Sequence, residues 1–133
     1  MALLHEKVRH QRIDWLHKES RYLVNQYDYI GIEELDMKGM SQSLHFGKSV
    51  SDNGWGMFVR MLEYKAEISG KHVIKADKLF PSSQKCHVCG ALNPKTKDLG
   101  IRKWVCPVCG SNHDRDHNAA INLKKEAQRL VLM

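Results

Sequence analysis

No apolar run in this 133-residue sequence approaches the roughly 20 residues that a membrane-spanning helix requires. The opening stretch, Met1-Ala-Leu-Leu-His-Glu-Lys7, also lacks the apolar core and small-residue cleavage site of a secretory signal. Both absences point away from the membrane and towards the cytoplasm, where thiols stay reduced. No cysteine occurs outside residues 86–109. Four cysteines confined to 24 residues of a reduced chain read as metal ligands rather than as a disulfide framework. Acidic residues are scarce in the same region. Between residues 71 and 109 only Asp77 and Asp98 oppose eight lysines and arginines, and the resulting +6 equals the formal charge of the whole chain. Residues 27–70, by contrast, carry a net −3. A basic field beside a less basic body suits a polyanionic partner. A solvated lysine-rich surface would give the same pI of 9.2.

Hydrophobic residues make up 42% of the chain, and the mean hydropathy is −0.49, as expected of a globular protein with a modest core. Leu3 to Tyr27 contains no Gly or Pro, and Leu4, Val8, Trp15, Leu16, Leu23, Val24 and Tyr27 recur near multiples of 3.6. This pattern predicts a long amphipathic helix. Asp28 to Glu33 reads as a short buried strand, and the Gly- and Ser-rich stretch 37–54 as a loop. A second helix, capped by Ser51 or Asp52, places Trp55, Phe58, Val59, Leu62 and Ala66 on one face and ends at Gly70. His72 to Ala76 reads as a second strand and Asn118 to Leu132 as a third helix. The order α-β-α-β-α, apart from the cysteine segment, predicts an α/β layer.

Cys86-His-Val-Cys89-Gly90 and Cys106-Pro-Val-Cys109-Gly110 are two copies of one knuckle, sixteen residues apart. The spacing fits a Cys₄ zinc ribbon. A glycine after the second cysteine permits the left-handed turn that lets backbone N–H groups face the sulfurs. A redox CxxC pair, or His87 or His113 replacing one cysteine, are the competing readings. With four protein ligands the zinc would be structural, and its binding energy would fold a segment too short for its own core. Trp104 and Val105 are expected on the ribbon's apolar side, with base stacking by Trp104 as the alternative.

Two carboxylates flank this insert. Glu33 ends the first strand, and Asp116 lies in Asp114-Arg-Asp116-His-Asn118-Ala-Ala120, which leads into the last helix. Carboxylates at a strand end and a helix start can share a hard cation such as Mg²⁺. The plainer reading makes Asp114 or Asp116 an N-cap and leaves Glu33 in solvent.

These residues carry a family resemblance. Ile32-Glu-Glu-Leu-Asp-Met-Lys-Gly-Met40 resembles the second nuclease motif of TnpB/OrfB insertion-sequence proteins, and Trp55-Gly-Met-Phe with Leu62-Glu-Tyr-Lys-Ala66 resembles the helix after it. Phe80-Pro-Ser-Ser-Gln-Lys-Cys86 through Gly110 is similar to their zinc ribbon, and Asp114 to Ala120 to their third nuclease motif. The order and spacing match over nearly the whole chain. TnpB proteins are RNA-guided DNA nucleases related to the type V CRISPR effectors, with a RuvC-type, RNase H-like domain and a divalent-metal site. The resemblance implies that Glu33 and Asp116 are catalytic, that Cys86, Cys89, Cys106 and Cys109 bind zinc, and that Mg²⁺ serves the nuclease site.

The family's first catalytic Asp sits on a strand that precedes the long helix, and no residue here replaces it. Asp14 falls mid-helix and Asp28 begins the second motif's strand. The expectation is therefore a partial RNase H-like fold without its first three strands, corresponding to the C-terminal part of such a protein. Its divisions would be 1–83 and 113–133 in the RuvC-like part, with the ribbon at 84–112. The implied partners are DNA and a guide RNA, contacted through Lys78, Lys85, Lys95, Lys97, Arg102 and Lys103. An open sheet edge would favour self-association. The alternative is a zinc-ribbon nucleic-acid-binding module without chemistry.

Overall fold

The computed structural model describes residues 2–34 and 54–133. Helix α1 spans Ala2–Gln26, strand β1 Tyr29–Glu33, helix α2 Gly54–Ser69 and strand β2 His72–Ala76. A 3₁₀ turn follows at Pro94–Lys97, then strands β3 (Lys103–Val105) and β4 (Asn112–Asp114), and helix α3 (Arg115–Val131). The chain is α/β, with β1 paired to β2 and β3 paired to β4. No described helix is long and apolar enough to cross a membrane. Two compact units emerge, one from residues 2–30 and 54–73 and the other from residues 31–34 and 74–133.

The first unit is a helix pair. Val24, Leu62 and Ala66 form its buried centre, with Leu23, Ile30, Phe58 and Val73 packed around them. The stripe expected on α1 is only partly buried. Leu16, Ser20 and Val24 face inward, spaced by the four residues that return a helix to the same side. Trp15, Leu4, Val8 and Tyr27 are instead exposed. Ser20 sits on the buried stripe because Lys65 of α2 is buried opposite it. The Lys65 ammonium donates to the Ser20 hydroxyl (2.7 Å) and the His17 carbonyl (2.8 Å). Burial, reinforced by the nearby Arg21 cation, lowers the Lys65 pKa from its usual value. Gly70 ends α2 at φ +71°, the left-handed turn expected from the sequence. The expected caps Ser51 and Asp52 lie outside the described residues, whereas Gly54, read as loop, already belongs to α2.

The second unit has a different interior. Cys86, Trp104 and Cys106 form its apolar centre, with Ala91 and Ile101 against them. Val105, expected beside Trp104, points outward, because adjacent residues of a strand face opposite sides. Trp104 is buried, so its ring is packing material rather than an open stacking platform. Helix α3 starts at Arg115, three residues before the expected Asn118, because the Asp114 carboxylate caps it. Gly31 of β1 lies against α3. A Cβ there would stand 2.8 Å from the Ala127 Cβ and 3.2 Å from the Leu123 carbonyl oxygen, so only glycine fits without a shift.

Candidate metal centre and its carboxylates

The two knuckles have the same backbone plan. Cys86 N–H donates to the Ala91 carbonyl (2.8 Å), and Gly90 N–H closes back on the Cys86 carbonyl (2.8 Å). In the second knuckle Cys106 N–H donates to Ser111 (2.9 Å) and Gly110 N–H to Cys106 (3.0 Å). Gly90 and Gly110 take φ of +84° and +77°, a region that side chains strain to enter. These turns aim four Sγ atoms at one point. All four lie within 4.8 Å of one another, and the pairs Cys86–Cys109 and Cys89–Cys106 are each 3.6 Å apart. A zinc ion about 2.3 Å from each of four sulfurs sets them about 3.8 Å apart, so the donor set fits tetrahedral Zn²⁺. A disulfide needs about 2.05 Å, and all four cysteines are free.

The thiols' surroundings suit a cation. The Ser111 hydroxyl and amide hold the Cys109 thiol down at about 6. The Cys109 and Val108 amides likewise lower Cys106. At Cys89 the Ala91 amide pulls downward, but desolvation and the three crowded sulfurs outweigh it and push the thiol up to about 11. Four thiolates this close repel one another, and a divalent ion removes that conflict. Of the two histidines considered as ligands, His113 is buried with Nε2 3.1 Å from the Cys86 Sγ, while the four sulfurs already complete a tetrahedral set. His87 packs edge-on to the His113 ring.

The Asp114–Asn122 stretch fastens α3 to the ribbon. The Asp114 carboxylate accepts from the amides of Asp116 and His117, both at 3.1 Å. The Arg115 guanidinium is buried and donates to the carbonyls of Thr96 and Asp98 and to the Ser83 hydroxyl. Asn118, 1% exposed, accepts from the His87 amide (3.0 Å) and donates to the Lys85 carbonyl (2.8 Å). Asn122 donates to the carbonyls of Ser82 (2.8 Å) and Lys85 (2.6 Å). Sequence reasoning had not singled out Arg115 or Asn122, or assigned Asn118 a role. Their spacing of three and four residues marks one helix face, and a polar stripe there in place of apolar residues is the signal that could have found them.

Asp116 stands apart from this fastening. Its carboxylate is 85% exposed and its charged neighbour is Arg102, 3.9 Å away. Glu33 is half-buried at the end of β1, where its carboxylate accepts a long hydrogen bond from the Ser82 hydroxyl (3.4 Å). The two carboxylates belong to one compact unit. Ser82 joins them structurally, because its carbonyl is held by Asn122, six residues or about 9 Å along α3 from Asp116. Of the basic residues expected at a nucleic-acid surface, Lys78, Lys95, Lys97, Arg102 and Lys103 are exposed. Lys85 is half-buried, and its carbonyl is taken up by Asn118 and Asn122.

Several known proteins and two family models are similar to this chain. Residues 55–123 match the family described as "Cas12f1-like, TNB domain", and residues 1–44 match one described as "Probable transposase". A protein of Streptomyces pristinaespiralis named "Putative RNA-guided DNA endonuclease" is 37% identical over 92% of this chain and 30% of its own length. One of the same description from Mycobacterium tuberculosis H37Rv is 33% identical over 94% of this chain and 28% of its own. A TnpB-like protein of Acanthamoeba polyphaga mimivirus is 29% identical over 91% of this chain. The chain thus spans about 30% of the length of the first two relatives. Among solved structures, the Cas12f1–sgRNA–target DNA complex contains a chain that superposes with a TM-score of 0.69 at 20% identity. That match covers 92% of this chain and 36% of the other, and establishes a shared fold. From its motifs, its fold and these family matches, the chain belongs to the TnpB/OrfB family.

Proposed function

We propose that this chain is the part of an RNA-guided DNA nuclease that carries two of its metal-binding carboxylates, Glu33 and Asp116, and a structural zinc ribbon. One observation carries the reading. In the Asp114–Asn122 stretch, the side chains of Asp114, Arg115, Asn118 and Asn122 are all engaged in holding the helix to the ribbon, whereas the Asp116 carboxylate is left exposed. Such fastening orders a carboxylate without using it, as a metal site requires. The names of the relatives, and the sgRNA and target DNA in the neighbour's title, support the nucleic-acid partners.

In this reading Glu33 and Asp116 would hold a hard divalent cation such as Mg²⁺, which supplies charge neutralisation and an activated oxygen in phosphodiester cleavage. Ser82 orients Glu33, and Arg102 balances Asp116 when no cation is bound. The surrounding domain is the partial RNase H-like fold, at 1–83 and 113–133, with the ribbon as an insert at 84–112. The four cysteines hold Zn²⁺, and the exposed lysines of the ribbon meet phosphates.

Mn²⁺ titration followed by NMR tests the carboxylate site. Paramagnetic broadening should centre on Glu33 and Asp116 and vanish in Asp116→Asn; broadening centred elsewhere would sink the assignment. The 133-residue chain alone is expected not to cut DNA, because two carboxylates fall short of the family's three. Robust Mg²⁺-dependent nicking that is lost in Glu33→Gln would overturn that expectation.

The exposed lysines also favour the binding-module reading, in which the chain holds nucleic acid without chemistry. Log affinity for a short duplex should then fall with log salt at about −0.9 per phosphate neutralised. Self-association through an edge that is unpaired among the described residues of the β1–β2 pair completes the proposal, and a monomer at high concentration by light scattering would refute it.

A further inference from the structure

We infer that His113 is an outer ligand of the zinc centre, donating its Nε2 proton to the Cys86 thiolate, and that this bond ties metal binding to the cap that presents Asp116. The inference rests on the zinc assignment proposed above. It starts from an unusual burial. His113 is 5% exposed and Cys86 is 0% exposed, and their Nε2 and Sγ atoms stand 3.1 Å apart. In a tetrathiolate site four negative sulfurs face a doubly positive ion, so the cluster keeps a net negative charge in a region with little water. Donors that point at the sulfurs spread that charge. The exposed sulfurs can take such donors from water or from Ser111, whose hydroxyl lies 2.9 Å from Cys109. Cys86 has no exposure to water, and His113 is the side chain placed to serve it.

The position of His113 in the fold gives this bond a consequence. It pairs with Trp104 across the β3–β4 ladder, and the two rings pack 4.5 Å apart. The next residue is Asp114, the cap of α3, whose carboxylate holds the amides of Asp116 and His117. The Arg115 amide then donates to Arg102 at 2.8 Å. Two residues, His113 and Asp114, therefore link the metal's sulfur to the helix start at Arg115, with little chain between them in which to lose the signal. Zinc loading should order the first turn of α3 through His113.

Two experiments on the full chain test this. In zinc-loaded protein, long-range ¹H–¹⁵N correlation of the His113 ring should show a protonated Nε2 and a bare Nδ1. The opposite tautomer would overturn the proposal without any mutation. Zinc affinity by chelator competition should fall 10- to 100-fold in His113→Phe, which keeps the ring and loses the donor. His113→Gln places an amide N–H close to the same point and should stay within about threefold of the original. Equal losses in both variants, or none in His113→Phe, would refute the role. The Co²⁺-substituted chain should show four thiolate ligands. A spectrum of three sulfurs and one nitrogen would also refute it, because His113 would then be bound to the metal itself. If the thiols bind no zinc at all, the zinc assignment fails separately and before any variant is compared.

Discussion

The two compact units of this chain are held together in different ways. Between α1 and α2 the interior is built from Val24, Leu62 and Ala66, an ordinary apolar seam with one buried lysine bonded across it. In the ribbon unit only Trp104 supplies a large buried side chain to the central cluster, beside two cysteines of the four-thiol group. Ile32, Ala76 and Ala127 are buried elsewhere in the unit, but six of its buried positions, Ser82, Thr96, His113, Arg115, Asn118 and Asn122, are polar. Hydrophobic burial stabilises in proportion to area and tolerates small shifts. Hydrogen bonds and metal ligation demand placement, and a buried group without its partner costs more than the bond itself contributes. If Asp116 serves the proposed metal site, the unit gains from the second strategy, because its carboxylate must stand at a defined point.

Substitutions should separate the two strategies. The largest expected effect is Cys106→Ala, which removes one of the four proposed zinc ligands and with it binding energy on the order of 10 kcal/mol. Trp104 fluorescence should shift to the red as the ribbon opens, while the helical signal of α1 and α2 persists. Leu62→Ala should reverse the pattern. At 1% exposure, its loss should cost about 2–5 kcal/mol in denaturant titration of the helix pair and leave zinc affinity unchanged. Asn122→Ala takes the side-chain donor from the Ser82 carbonyl, while the Lys85 carbonyl keeps Asn118, at a cost of about 1–3 kcal/mol. It should also loosen Glu33, whose carboxylate is bonded to Ser82, and a Glu33 NMR signal unmoved by the substitution would break that link.

The smallest effect concerns pH. The hydrogen bond and charge of Lys71 hold the Asp28 carboxyl below its usual value. A folded pKa below the unfolded one means stability that is present above the unfolded pKa of about 3.8 and lost as pH falls through the folded value. Asp28 is well exposed, so water and salt screen the pair. Asp28→Asn should therefore lower Tm slightly near neutrality, by an amount that shrinks as pH falls below about 3.8, in thermal melts at low ionic strength.

What was legible in the sequence follows the same division. The knuckles were clear because cysteine spacing and glycine turns are local, and Gly70 marked a helix end for an equally local reason, whereas Asp114 was one of two candidate caps and its helix was expected only from Asn118. The helix pair was legible in outline, yet Trp15 and Val8 were assigned to a buried face that the structure leaves exposed. Periodicity gives the stripe but not how far along the helix a partner reaches. The three-residue strands β3 and β4 are too short to show alternation. The buried Lys65 and the Asn118–Asn122 stripe escaped because polar residues are read as solvated until a partner distant in sequence is known. The Glu33–Ser82 link spans 49 positions and was invisible for the same reason.

The central claim is that bound metal orders the carboxylate-bearing turn of α3. Amide hydrogen exchange at Asp116 and His117, with zinc bound and after chelation, tests it most directly. These amides, both bonded to Asp114, should be protected with zinc and lose that protection on chelation, while amides near Leu62 in α2 keep theirs. Unchanged protection at Asp116 and His117 after zinc removal would contradict the account.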